Sequence, residues 1–321
     1  MKVAVVIPCF RVKEHILEVI AKIGSEVALI IIVDDACPEN TGDFVKSKCK
    51  DPRIQIIKHT KNLGVGGAMV TGYKFALENN VSVVVKIDGD GQMDPQILQR
   101  FLEPILAGNA DYTKGNRFFK PEFLSQMPGV RLFGNAVLSF INKWISGYWN
   151  IMDPTNGYTA IHSTALRYLP LDKLDKGYFF ESDMLVRLNI IRAVVEDIPM
   201  EAYYGRERSH LSITKVVFEF PIKYISRFFK RIGYRYFLRD FNLGSVSFLF
   251  GMILFSFGSI FGIYKWFRSS WLEIEATPGE VMIASLPIIL GFQLLLFGLQ
   301  YDVISIPTKS IQSQLDNSQK N

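Results

Sequence analysis

At 321 residues the chain has room for one large domain with an appendage, or for two domains. Apolar residues make up 49% and charged residues 21%, with a mean hydropathy of +0.17, which is oily for a wholly soluble protein and points to a membrane-associated part. A formal net charge of +5 is too small for a nucleic-acid polycation, and the sequence holds no nucleic-acid motif, repeat or low-complexity linker.

Residues 2 to 8 read as a strand stopped by Pro8, too short for a signal-peptide core and without a cleavage site. Val12 to Gly24 reads as a helix, and Ala28 to Val33 as a second apolar strand running into Asp34-Asp35. Ile54 to Lys58 is a third strand, Gly64 to Asn79 a helix opened by glycines, and Val81 to Ile87 a fourth strand. Asp94 N-caps a helix that begins with Pro95 and runs to about Ala107. A strand over Ala110 to Lys114, a helical pattern from Pro128 to Tyr148, a short strand to Ile161, a helix opening at Phe179 and a last strand over Ala193 to Ile198 follow. Strands alternating with helices predict βαβ units and a mostly parallel sheet. Cys9, Cys37 and Cys49 lack metal or disulfide spacing and read as free thiols in a reduced, cytosol-facing domain.

The stretch Val83-Val84-Val85-Lys86-Ile87-Asp88-Gly89-Asp90-Gly91-Gln92 carries most of the chemistry. A nearly continuous apolar run marks a buried parallel strand, and ligands of such sheets bind just beyond strand carboxyl ends. Asp88 and Asp90 point the same way if strand geometry persists through Gly89, and two such anions favour a hard cation, Mg²⁺ or Mn²⁺. The alternative is Asp-Gly turn chemistry. Asp34-Asp35, at the end of another strand, reads as part of the same site, since gathered carboxylates are costly to stability. Asn62 to Ala68 resembles a phosphate-cradling glycine loop but is neither GxGxxG nor Walker A; close packing of a helix start on the sheet explains it equally well. Glu181 and Asp183 in a helix's first turn fit either a site or macrodipole compensation.

Leu243 to Tyr264 and Val281 to Tyr301 carry no charge, and each is long enough to cross a hydrocarbon core of about 30 Å. The loop between them holds more acids than bases and the preceding segment is basic, which places the N-terminal domain and the C-terminal tail in the cytosol. In Pro221 to Arg239, basic residues recur every fourth position (Lys223, Arg227, Arg231, Arg235, Arg239) opposite Ile225, Phe228, Phe229, Ile232 and Tyr236. This predicts a basic amphipathic helix in the headgroup plane.

Taken together, Ile7-Pro8-Cys9-Phe10, Val33-Asp34-Asp35, Asn62 to Gly66, Asp88-Gly-Asp90-Gly-Gln92, Gly115-Asn116-Arg117-Phe118, Asp153-Pro-Thr-Asn-Gly157-Tyr158 and Phe180-Glu181-Ser-Asp183 resemble the membrane-anchored family-2 glycosyltransferases, of the dolichyl- and polyprenyl-phosphate sugar synthase type. The resemblance covers about residues 1 to 215 by motif. It implies a GT-A catalytic domain, α/β with a mostly parallel Rossmann-like sheet, over 1–214. A basic juxtamembrane segment over 215–242, a two-helix transmembrane hairpin over 243–305 and a polar cytosolic tail over 306–321 complete the expected chain.

By the same resemblance, Pro8, Phe10 and Asp35 line the nucleotide pocket. Asp88, Asp90 and Gln92 hold Mg²⁺ or Mn²⁺ on the donor diphosphate. Arg117 and Arg131 meet the acceptor phosphate or the diphosphate, and Arg206 or Arg208 with Ser212 form a loop that closes over the site. Asp153 matches the position usually considered as the base, although a phosphate acceptor needs orientation more than deprotonation. The sequence departs from the pattern at Phe10-Arg11-Val12, where Tyr-Asn-Glu is common, and at Ile213, where relatives place Lys. The implied partners are a UDP- or GDP-linked sugar, an undecaprenyl or dolichyl phosphate and the lipid bilayer of a bacterial inner membrane; no nucleic acid is expected, and a homo-oligomer is left open. The implied reaction is inverting transfer of a sugar to the polyprenyl phosphate. Saccharide-directed transfer, a non-catalytic scaffold and nucleotidyl transfer are the alternatives; the sequence lacks a QxxRW motif or a triphosphate loop, and both acidic pairs are intact.

Overall fold

The structure, a computed structural model, describes residues 1–119, 129–201 and 213–320. Two compact units are present: Met1–Arg231 with Pro307–Asn321, and Ile232–Ile306.

The first unit is built on a seven-stranded sheet of order β3-β2-β1-β4-β6-β5-β7. Its strands are β1 (Val3–Cys9), β2 (Leu29–Asp34), β3 (Ile54–Lys58), β4 (Val83–Lys86), β5 (Tyr112–Asn116), β6 (Thr159–His162) and β7 (Val195–Pro199). The βαβ crossovers run through α1 (Ile16–Ala21), α2 (Thr41–Lys48) and α3 (Gly64–Glu78). Pairings are parallel except at β6, which lies antiparallel between β4 and β5. Apolar runs such as Val3-Ala-Val-Val-Ile7 form because both faces of the sheet are covered. Val3, Val5 and Ile7 join the core with Ile16, Val19 and Ile20 of α1 and with Leu98, Phe101 and Ile105 of α4 (Leu98–Leu106). Val6 points the other way, where Gly72 of α3 leaves just enough room for it. Pro8 does not stop β1. The β4 ladder pairs only as far as Val6–Lys86, so no neighbour on that side asks Pro8 for a donor.

Strand order reverses between β1 and β4, since β2 and β3 lie to one side of β1 and β4 to the other. Such a switch point opens a crevice at the strands' carboxyl ends. The later part of the unit contributes α5 (Gly129–Ser146), α6 (Ser163–Tyr168), α7 (Phe180–Ile190) and α8 (Ile213–Ile232).

The helix α8 starts ahead of the predicted 221–239 and ends at Ile232, with Gly233–Arg239 forming a separate π-helical turn, and its Lys223, Arg227 and Arg231 face the domain. Lys223 Nζ pairs with Asp175 at 2.7 Å, and Arg227 Nε with Asp183 at 2.5 Å. Arg231 is fully buried and donates to the carbonyls of Ile145 and Trp144 at 2.7 and 2.9 Å, satisfying orphan acceptors at the C-terminus of α5. Part of the apolar face meets solvent, with Ile222 72%, Ile225 58% and Phe229 61% exposed, while Phe228 packs on a buried cluster with Tyr224 and Tyr236 is buried. On α5, Phe133, Val137, Phe140 and Trp144 form a second exposed apolar stripe, and Trp144 joins it to α8 through Phe228, with ring centroids 6.0 Å apart. The expected headgroup-facing basic helix is thus corrected. Carboxylates on the domain outcompete solvent for Lys223 and Arg227, and Ile222, Ile225 and Phe229 are left exposed.

The segment expected to be a polar tail packs on the first unit as α11 (Ile311–Lys320). Buried Asp111 accepts from the backbone N–H groups of Ile311 (2.9 Å), Gln312 (3.4 Å) and Val194 (2.9 Å), and Gln312 Nε2 donates to the carbonyls of Ile105 and Ala110. Burial pushes the Asp111 carboxyl's pKa up, and these N–H groups pull it back. Asp111→Ala strands three donors and is expected to cost about 2 kcal/mol. Hydrogen exchange over 307–315 would read this as lost protection; unchanged protection would show that the segment is held by other contacts.

The second unit pairs α9 (Leu243–Leu272) with α10 (Pro278–Ile304), both long and apolar enough to cross a membrane. The helices approach closely where Gly258 faces Ala284 and Ile288, and where Gly251 meets Gly291. Asp302 accepts from Arg235 at 3.2 Å and Tyr236 at 2.7 Å, pinning the turn of Gly233–Arg239 to the end of α10.

Candidate active site

The crevice beside β4 is built by a turn. The last ladder bond runs from Ile87 N to the carbonyl of Val6, after which the chain leaves the strand. Asp90 Oδ1 accepts from Gln92 N at 3.0 Å, closing an Asx turn. Strand parity therefore does not align Asp88 with Asp90, because the strand stops at Lys86. Gly89 brings this turn onto the end of β1. A side chain there would meet Ile7, Val12 and Ile16 at 3.0–3.3 Å, and Phe10, one residue past the end of β1, is 41% exposed. Arg11 stacks its guanidinium 5.4 Å from the Phe10 ring centroid.

Lys86 is 1% exposed and pairs with Asp88 at 2.9 Å and Glu181 at 3.1 Å. Burial opposes its charge, but the two carboxylates more than offset that and hold the ammonium above its ordinary pKa. Gly157 closes the pair from the side, and an added Cβ would lie 2.5 Å from Lys86 Nζ and 2.7 Å from Asp88 Oδ2. A lysine inside an otherwise apolar strand was the sequence signal for this partner, and motif reading passed over it. Glu181 is an ion-pair partner and Asp183 holds Arg187 and Arg227, so neither acid serves mainly to offset a helix dipole.

The second acidic pair is spent on the chain itself. Asp34 accepts from Cys37 N at 2.8 Å and Gly42 N at 2.7 Å. Asp35 accepts from Leu63 N and Gly64 N, both at 2.8 Å, and meets His59 Nδ1 at 2.7 Å. Asp35 thereby holds the glycine loop. Gly64 has φ of +82°, and a Cβ there would strike the carbonyl of Lys176; one at Gly66 would strike that of Asp175. Gly67 N also donates to Lys176 O. The loop packs closely against the 175–177 segment and Phe180. Burial pushes the Cys9 thiol up, with Asp34 adding to the shift, consistent with an unreactive thiol.

Arg117 and Asp153 form one unit. Asp153 is fully buried and accepts from Arg117 Nε at 2.6 Å, Nη2 at 2.9 Å and the backbone N at 3.2 Å. A bidentate carboxylate in this state orients the guanidinium. The Arg117 side chain remains 25% exposed. Beside it lies a cavity of about 300 Å³ lined by Phe118, Ala136, Phe140 and Met152, with Asn135, Ser139 and Lys143 as its polar members. The turn from Asp153 to Gly157 connects this pair to the Lys86–Asp88 pair. Lys114 Nζ donates to the carbonyl of Asn156, and burial lowers its pKa to about 8 against the opposing pull of Glu181 and Asp153. Arg131 lies on α5; its side chain, and Arg206, Arg208 and Ser212, fall outside the described residues.

The donor set fits a hard divalent cation. Asp88 and Asp90 offer carboxylate oxygens and Gln92 an amide oxygen, at a strand end where diphosphate could complete the shell. Among the described residues no group of three His, Cys, Asp or Glu side chains is placed to hold a metal. Asp88 also shares Oδ1 with Lys86 at 2.9 Å.

A sheet with its strand order reversing beside β4 and an acidic turn at that crevice defines a nucleotide-sugar transferase of the GT-A type. The chain belongs to glycosyl transferase family 2, whose family model matches residues 4–169. It is 31% identical over 208 residues to the UDP-N-acetylglucosamine–dolichyl-phosphate N-acetylglucosaminyltransferase of Methanococcus voltae, covering 61% of this chain and 82% of that one. It is 28% identical to the undecaprenyl-phosphate mannosyltransferase of Micrococcus luteus, covering 62% and 83%. Among solved structures, glucosyl-3-phosphoglycerate synthase of Mycobacterium tuberculosis with Mn²⁺, UDP-glucose and phosphoglyceric acid superposes with a TM-score of 0.52 at 16% identity, over 72% of this chain and 80% of that one. That likeness is one of fold.

Proposed function

We propose that the chain transfers a sugar from a nucleotide diphosphate sugar to a polyprenyl phosphate, with inversion, at the cytosolic face of a membrane. One observation carries this reading: a guanidinium locked by a buried carboxylate stands beside an apolar cavity, so a single site offers phosphate recognition next to hydrocarbon. The relatives named for dolichyl and undecaprenyl phosphate support the acceptor class, and the two apolar helices support membrane anchoring.

Pro8, Phe10 and the β1 end line the nucleotide side. Asp90 and Gln92, with Asp88, would hold Mg²⁺ or Mn²⁺, and that ion would neutralise charge on the leaving diphosphate. Lys86 holds Asp88 in place through their 2.9 Å ion pair. Arg117, held by Asp153, orients the acceptor phosphate, which is already anionic at neutral pH and needs no base. Its first isoprene units occupy the cavity of Phe118, Phe140 and Met152. Arg131, Arg206, Arg208 and Ser212 complete the phosphate contacts by resemblance. The exposed aromatic stripe of α5 and α8 offers the catalytic unit a face that fits the acyl boundary of a lipid surface.

The test is a panel of radiolabelled UDP- and GDP-sugars incubated with the full chain in vesicles containing undecaprenyl phosphate. A labelled, organic-extractable product that disappears in EDTA is expected. Transfer confined to a water-soluble acceptor would overturn the reading.

A further inference from the structure

Asp197 sits on β7, in register with Lys114 of β5, outside every motif in the chain. Its Oδ2 accepts two hydrogen bonds: from Met152 N at 2.8 Å and from Asn116 Nδ2 at 3.0 Å. Those donors are the residues immediately before Asp153 and before Arg117. Asn116 then accepts from Phe118 N at 2.8 Å, so the turn carrying Arg117 is closed on both sides. Asn150 Nδ2 adds a bond to the carbonyl of Val195 at 3.1 Å, fixing the same loop to the same strand. One carboxylate oxygen therefore ties together the two limbs whose side chains form the guanidinium–carboxylate couple.

The other oxygen, Oδ1, is buried and has no hydrogen-bond partner. Burial pushes the carboxyl up to about 6, the Met152 N–H and the Lys114 and Lys143 charges oppose that, and Asp153 adds to it. A half-satisfied buried acid is costly to stability. Two backbone limbs could be joined by a neutral amide without that cost. Its presence at the root of the site points to a task in the site.

We propose that Asp197 is a positioning residue of the transferase: it sets the register of the Arg117 turn against the Asp153 turn, and it does so fully only when ionised. Asp197 touches no reacting group. The inference rests on the role given above to Arg117. The groups facing Asp197 are Asn116 and Lys114 on β5, Lys143 on α5, and the Met152 N–H and Asp153 on the intervening loop. Of these, Lys143 and Lys114 favour its ionised form and Asp153 opposes it. As pH falls through about 6, the carboxyl gains a proton, both bonds to Oδ2 weaken, and transfer falls with them.

The experiment compares Asp197→Ala, Asp197→Asn, Arg117→Ala and the Arg117→Ala/Asp197→Ala double variant, with the sugar nucleotide the wild type uses best and undecaprenyl phosphate in vesicles. Asp197→Ala is expected to lower kcat by about thirtyfold, with the nucleotide-sugar KM within about threefold of wild type. Asp197→Asn can still accept both bonds through its amide oxygen. It is expected to keep at least about a fifth of wild-type kcat, to lose the acid limb near pH 6 and to melt no lower than wild type. In the Arg117→Ala background, Asp197→Ala should add less than about twofold, since the couple it positions is already gone. A purely structural role would instead give multiplicative losses and an unchanged pH profile. Asp197→Ala within threefold of wild type, an Asn variant that retains the acid limb, or multiplicative losses in the double variant would each overturn the proposal. Wild-type activity in Arg117→Ala would mark failure of the Arg117 role itself, and an inactive Arg117→Ala beside a fully active Asp197→Ala would mark failure of this proposal alone.

Discussion

Asp90→Ala is expected to lower sugar transfer by about a thousandfold while the chain stays folded and membrane-bound. The turn from Asp88 to Gln92 leaves Asp90 only partly buried and outside the hydrophobic core, so its loss removes no core packing. What it removes is one of the two carboxylates proposed to share a divalent ion with the donor diphosphate. Transfer at saturating nucleotide sugar, measured across a Mn²⁺ and Mg²⁺ titration, checks this. Circular dichroism and vesicle flotation establish that the variant is intact. Wild-type rates in the variant, or for the unmodified chain in EDTA, would sink the metal role.

Lys86→Met is expected to produce the largest loss of stability of any single site-directed change considered. The ammonium is buried between Asp88 and Glu181, and its removal strands two carboxylates beside the core. Breaking a buried ion pair from one side costs about 3 kcal/mol or more. For a unit of this size that lowers the thermal midpoint by roughly 10 °C. Adding Glu181→Gln should recover part of the loss, because it removes one of the stranded charges. Thermal unfolding of the three proteins at neutral pH decides the matter, and a Lys86→Met midpoint equal to wild type would show that water or rearrangement satisfies the acids. The pH dependence of stability has its own sign. Asp197 is raised to about 6 from an ordinary 3.8, so the folded state binds the extra proton and stability from this group declines as pH rises from about 4 to about 6. Asp197→Asn removes that decline.

Much of the fold was legible because it is written locally. Val3 to Ile7, Leu29 to Val33 and Val83 to Val85 are β-branched, apolar on both faces and spaced by helices, and only a covered parallel sheet uses such runs. The acidic turn after β4 and the spans of α9 and α10 were legible for the same reason. Which acids were available was less so. Asp35 and Asp153 stand in motif positions, yet each is saturated by groups 24 to 36 residues away in sequence, such as His59 and the Arg117 guanidinium. Asp197 escaped because an acid beside Glu196 in a five-residue strand carries no motif or periodic pattern. Only its two partners, 81 and 45 positions away, reveal its place.

Sequence alone determined the family, most of the alternation of strands and helices, the acidic turn after β4 and the two membrane-length helices, since periodicity and short motifs are properties of neighbouring residues; the helix α2 was not read from it. Tertiary structure decided which way things face and whom they meet. It inserted β6 antiparallel into the sheet and folded α11 back onto Asp111. It also turned the basic stripe of α8 toward Asp175 and Asp183 and made Asp153 the holder of Arg117. The physical reason is common to all four. A hydrogen bond or ion pair is decided by competition between partners and water, and the winning partner lies far away in the chain.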